Sequence, residues 1–114
     1  MQRATSLIRT FSLSPEELEE RLDQDDVIVV DVRPEEEYET AHIPGARSIP
    51  VDQIEEHLDE LPEDKDVVAY CRGPYCVYSD DAVRHLRENG RAAYRLTEGL
   101  PDWAVTGRTV ESNR

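Results

Sequence analysis

The chain's 114 residues carry 26 acidic against 13 basic side chains, a formal net charge of −13, and this length suits one domain with one buried core. No apolar run approaches the ~20 residues that cross a bilayer, and MQRATSLIRTF lacks the apolar centre and cleavage site of a secretory signal. With cations so outnumbered, sequence-independent binding to a phosphate backbone is not expected, which leaves an acidic, cytoplasmic domain with no membrane and no nucleic acid among its partners.

Every basic residue except Lys65 is Arg. A salt-rich (halophilic) cytoplasm favours such a Lys-poor anionic surface, because dissolved ions screen its self-repulsion. A GC-rich genome writing Arg for Lys produces the same composition, so both readings stand.

Residues 1–10 read as a flexible lead-in, 11–110 as the domain and 111–114 as a tail. Ser14-Pro15-Glu16-Glu17 predicts a helix start, with Ser14 as cap, Pro15 at the first helical position and Glu17 closing a capping box. Leu18 and Leu22 then repeat at helical spacing. The β-branched run from Val27 to Val32 predicts a strand buried on both faces of a parallel sheet. Pro34 opens a brief acidic helix, residues 42–45 form a turn, Ala46–Ile49 a short strand, and Asp52 caps a helix through Leu61. Val67–Tyr70 predicts a second buried strand ending at Cys71. CRGPYCVY follows as a loop, since Gly73-Pro74 continues neither strand nor helix. Ser79, Asp80 and Asp81 start a helix carried by Ala82, Val83 and Leu86 and closed by Gly90. Ala92–Leu96 is a last strand and Pro101–Val105 a short helix holding Trp103. Strands alternating with helices predict an α/β domain, three-layered, with a mainly parallel sheet between helices.

Ligands of such sheets bind at the carboxyl ends of the strands. Cys71 stands at such an end, before a Gly-containing loop that feeds a helix. Converging loop N–H groups and a helix N-terminus favour a thiolate over a thiol, and Arg72 adds a neighbouring positive charge. Asp31 ends the other long strand and is expected close by. A lone cysteine at a strand end is ordinarily a small buried hydrophobe; this context favours a nucleophile. A zinc site is not expected, because His42, His57 and His85 show no paired spacing with Cys71 and Cys76.

Three segments, VIVVDVRPEEEYETAHIPGARSIP (27–50), VVAYCRGPYC (67–76) and EGLPDWAVTG (98–107), resemble the rhodanese-like sulfurtransferases in composition and order. The resemblance implies the rhodanese-like fold and a mechanism without metal or cofactor. Cys71 would attack a small anionic sulfur donor such as thiosulfate and hold a persulfide. The loop of Arg72, Gly73, Pro74, Tyr75, Cys76, Val77 and Tyr78 would cradle the anionic sulfur. A thiol, cyanide or a sulfur-accepting protein would then take the sulfur away. Asp31, Arg33 and Glu37 match family positions that brace the site; a buried ion-pair cluster is the alternative for them.

The loop departs from the family's Cys-Arg-x-Gly-x-Arg/Thr-Ser pattern. Gly73 comes one place early, Cys76 occupies the sixth place and Ser79 comes late, so the loop reads as the longer kind. It resembles a subtype fused behind a winged-helix repressor of the arsenic-sensor type, and no such DNA-binding domain is expected within these residues. Cys76 is either a resolving or relay thiol for Cys71 or a residue packed beneath the loop. Tyr75 and Tyr78 either wall the pocket or are amphipathic loop residues. Two rival functions stand. One is a phosphatase or arsenate-reductase-like activity, which asks for a closing Arg where Cys76 or Val77 stands. The other is a thiol-redox or sulfur-sensing module using Cys71 and Cys76. His42 is expected to bond backbone, His57 and His85 to sit on solvated helix faces, and Trp103 to plug the core. Glu35–Glu37 and Asp80-Asp81 read as helix N-terminal charge.

Overall fold

The computed structural model describes residues 11–73 and 77–113; the lead-in 1–10 and Arg114 lie outside them. Five strands form one all-parallel sheet: β1 (Ser12–Leu13), β2 (Val27–Asp31), β3 (Arg47–Ser48), β4 (Asp66–Tyr70) and β5 (Ala93–Leu96), in the order β1-β5-β4-β2-β3. The helices α1 (Pro15–Asp23), α2 (Glu35–Thr40), α3 (Val77–Glu88) and α4 (Leu100–Val105) flank it. None of the described helices is long and apolar enough to cross a membrane.

The capping box forms as expected. The Ser14 hydroxyl accepts the Glu17 N–H at 3.1 Å, and the Glu17 carboxylate accepts the Ser14 N–H at 2.8 Å. Two otherwise unpaired donors are thereby satisfied, with Pro15 at the position that needs none. At the end of α3, Gly90 takes φ 82°, and the Arg91 N–H donates to the Leu86 carbonyl at 2.9 Å. This left-handed closure is the one glycine permits most cheaply.

Alternation along β2 and β4 divides the core between two faces. Val30, Val32, Ala69 and Cys71 pack with Ala82, Val83 and Leu86 of α3. Val27, Val29, Val68 and Tyr70 pack with Leu18, Leu100 and Trp103 beneath α1 and α4. Both strands are apolar on both faces because helices cover both.

Two expectations need correction, and a third feature had no expectation at all. Residues 51–60 form two 3-10 helices, Val51–Gln53 and Glu55–Glu60, with Pro50 rather than Asp52 at the entry. An α-helix would set Glu55 against Asp59 and Glu56 against Glu60, like charges at destabilising i,i+4 spacing. Second, Val77 and Tyr78 belong to α3, and Ser79 lies within it rather than capping it. Third, β1 joins the sheet edge against β5 with only two residues, too few to leave an alternation in the sequence.

Candidate active site

The chain leaves β2 toward β3 at one sheet edge and leaves β4 toward β5 on the other side. Connections that part this way open a crevice at the carboxyl ends of the two strands. Asp31 closes β2 there and Cys71 follows directly on β4. Cys71 is 2 % exposed, its side chain belongs to the core on the α3 face, and it is disulfide-bonded. Cys76, with Pro74 and Tyr75, lies outside the described residues.

Asp31, fully buried, works from the opposite face. Its carboxylate accepts the Arg33 backbone N–H at 3.0 Å, the Arg33 Nη2 at 2.7 Å and the Tyr70 hydroxyl at 2.6 Å. The Tyr70 oxygen in turn accepts the Ile43 N–H at 3.1 Å. Arg33 also donates to the Ala41 carbonyl at 2.6 Å, so its buried charge is met on both sides. Burial raises the Tyr70 pKa, and the Asp31 carboxylate raises it further, so the phenol stays a donor. The cluster holds Tyr70, the residue before Cys71, and it also reaches Glu37, whose Oε1 lies 3.9 Å from Arg33 Nη1. Asp31 and Arg33 form a buried ion pair beneath that face.

Arg72 points its charge elsewhere than the sequence suggests. Its guanidinium grips Glu37 through two nitrogens, at 3.0 and 2.6 Å, and lies 5.6 Å from the Tyr78 ring centre. Hydrogen bonding from Arg72 holds the Glu37 carboxyl below its usual range against the opposing pull of burial, and the same bond raises Arg72. Glu37 therefore ties α2 to the first residue of the loop, a role beyond helix N-terminal charge. Gly73 follows half-buried; Val77 is 61 % exposed at the start of α3.

Two residues that sequence reading passed over meet the loop. Gly99, in the β5–α4 turn, presses against it: a Cβ there would stand 2.2 Å from the Arg72 carbonyl carbon and 2.4 Å from the Gly73 nitrogen. Its neighbour Leu100 donates its N–H to the Cys71 carbonyl at 3.3 Å. Arg95, 7 % exposed, reaches from β5 to the first turns of α3, where its Nε lies 2.9 Å from Asp80 Oδ1 and donates to Ser79 Oγ at 3.3 Å. An arginine inside the apolar strand AYRL is the signal that could have found it, since an unpaired charge there would be costly.

Beside the loop a cavity of about 570 Å³ opens, walled by Tyr78, Val51, Pro34, Glu35, Glu36 and Asp52. Tyr78 thus walls a pocket. His42 bonds backbone as expected, with Nδ1 2.6 Å from the Tyr38 carbonyl oxygen. Trp103 is 4 % exposed and donates Nε1–H to the Thr109 carbonyl at 2.9 Å, a core plug with one polar partner. His57 and His85 are half-buried, and His57 Nδ1 is 2.8 Å from Glu60. Among the described residues no group of three or more His, Cys, Asp or Glu is arranged to hold a metal ion.

Residues 14–106 match the model of the rhodanese-like domain. The chain is 48 % identical over 95 residues to the HTH-type transcriptional regulator Rv0324 of Mycobacterium tuberculosis, a match covering 83 % of this chain and only 42 % of the regulator. It is 35 % identical over 99 residues to a sulfurtransferase of Allochromatium vinosum, covering 86 % of this chain and 92 % of that protein. The crystal structure of the BH2092 protein from Bacillus halodurans superposes with a TM-score of 0.85 at 29 % identity, over 96 % of this chain and 80 % of that one.

Proposed function

From the premise that this chain belongs to the rhodanese-like domain family, we propose that it is a sulfurtransferase whose carrier is a persulfide on Cys71. The observation that carries the reading is the place of Cys71: a buried cysteine at the carboxyl end of the central strand β4, at the sheet's switch point, leading into the loop before α3. In the first half-reaction the reduced Cys71 thiolate attacks the outer sulfur of thiosulfate. The S–S bond to the sulfonate breaks, sulfite leaves with the electron pair, and Cys71 holds a persulfide anion. In the second, a thiol or cyanide takes the outer sulfur and returns the thiolate. Asp31 with Arg33 and Glu37 with Arg72 position the loop, the first pair through Tyr70 and the second by direct grip.

The disulfide at Cys71 favours a second reading, a thiol-redox or sulfur-sensing module. The regulator to which this chain is 48 % identical over 95 residues supports the same reading. Intact-mass measurement separates the two. Reduced protein incubated with thiosulfate gains one sulfur atom that cyanide removes, while Cys71→Ser gains none. Loss of two hydrogens without sulfur gain favours the redox module and overturns the transferase.

A further inference from the structure

The cavity beside the loop is larger than small ions such as thiosulfate and cyanide require. Its volume of about 570 Å³ falls within the range of organic-ligand sites. It opens on the face of the sheet that holds Cys71. Val32, the buried part of its wall, belongs to the same core cluster as Cys71, and Val51 and Tyr78 of the wall pack against that cluster. Val32 also donates its N–H to the carbonyl of Tyr70, the residue before Cys71, at 3.2 Å. Pro34 and Pro50 complete the apolar wall. The rim is of one sign. Glu35, Glu36 and Asp52 line the cavity, all three exposed, and no basic residue does. Among the described residues none of these three carboxylates has an ion-pair partner. The loop's one charged residue, Arg72, is already clasped by Glu37 at 2.6 Å.

Resting on the sulfurtransferase reading, we propose that this cavity seats the sulfur acceptor, a small organic thiol that carries an ammonium group. Its carbon chain lies against Val32, Val51 and Tyr78, and its ammonium meets Glu35, Glu36 and Asp52. An anionic thiol would face three like charges in the same place. The acceptor thiolate attacks the outer sulfur of the Cys71 persulfide and the S–S bond breaks. The electron pair of that bond returns to Cys71 as thiolate, and the acceptor leaves as a persulfide that keeps the proton of the outer sulfur.

The test uses the reduced full-length chain loaded with one sulfur from thiosulfate, or from polysulfide where thiosulfate loads poorly. Discharge by cysteamine, mercaptoethanol and mercaptopropionate, thiols of similar size but cationic, neutral and anionic, is followed as loss of that sulfur in the intact mass. Each thiol keeps its own intrinsic reactivity from one variant to the next, so changes between variants report the cavity. The triple variant Glu35→Gln/Glu36→Gln/Asp52→Asn should slow cysteamine about tenfold, leave mercaptoethanol within about twofold and quicken mercaptopropionate. Equal effects on all three, or none, overturn the proposal. Gln53→Trp fills the cavity from its rim and should slow all three thiols more than it slows cyanide; equal slowing, or none, overturns it as well. The cavity is also read without sulfur chemistry. In Cys71→Ser, propylammonium should shift the NMR signals of Val32, Val51 and Tyr78 while propionate leaves them in place, and signals unmoved by propylammonium overturn the proposal. A chain that takes up no sulfur yet shows these shifts loses the transferase reading and keeps the cation-selective cavity. Sulfur uptake without charge preference among the thiols removes the acceptor site alone.

Discussion

Gly99→Ala is the substitution for which the structure gives the sharpest expectation. The glycine has φ −93° and ψ −175°, extended backbone open to any residue, so alanine meets no backbone strain. Its cost is contact alone. The added Cβ would lie 2.2 Å from the carbonyl carbon and oxygen of Arg72. Carbon atoms settle at ~3.5 Å, so the Arg72–Gly73 peptide must retreat by about 1 Å. Overpacking of this kind costs about 1–3 kcal/mol, which a domain of this size survives. On the proposed function, displacing the loop by about 1 Å costs on the order of 100-fold in rate. The expected result is therefore a folded protein, its urea midpoint modestly reduced, whose sulfur transfer from thiosulfate to cyanide, read as thiocyanate, falls about 100-fold in kcat/KM. Wild-type turnover in a folded Gly99→Ala protein would refute the claim that this contact sets the loop's position.

Three further substitutions probe the bracing. Asp31→Asn leaves the buried Arg33 guanidinium without its carboxylate and should destabilise the fold by about 3–5 kcal/mol in urea titration; Asp31→Leu with Arg33→Met should recover much of that, and a loss below about 1 kcal/mol in the single variant would mean the pair is hydrated. Tyr70→Phe strands the Ile43 N–H and removes a donor from Asp31, for an expected loss of about 1–3 kcal/mol, measured the same way. The Glu37–Arg72 clasp sets an acid limb. Because the folded-state pKa of Glu37 is depressed, its contribution is present above the unfolded value of ~4.3 and is lost as pH falls through the lower folded value. Glu37→Gln should flatten the stability profile on that limb, and an unchanged profile would show that the clasp contributes nothing.

Local signals made most of the elements legible. The capping box at Ser14, the β-branched runs of β2 and β4, Gly90 as helix stop and the strand-end place of Cys71 are short-range features whose causes lie within a few residues, and the fold class follows from their alternation. What was not legible needed partners distant in the chain. Nothing near Ser12 and Leu13 marks them as a strand; β5 supplies their hydrogen bonds from more than 80 positions away. Ser79 reads as a helix cap until Arg95 is seen to take its hydroxyl. Arg72 reads as a charge for Cys71 until α2 brings Glu37 against it.

The sequence by itself determined an acidic α/β domain with its cysteine at the carboxyl end of a buried strand, because burial periodicity and turn chemistry are written in adjacent residues. Only the tertiary structure decided which side of the sheet each charge occupies. A parallel sheet sends alternate side chains to opposite faces, so Asp31 and Arg33 meet Tyr70 on the face away from Cys71, while Arg95 shares the face of Cys71. It also decided that the peptide after Cys71 rests on a glycine 26 residues further on, a contact that exists because β4 and β5 are neighbours and their carboxyl-end turns must pass each other without a side chain between them.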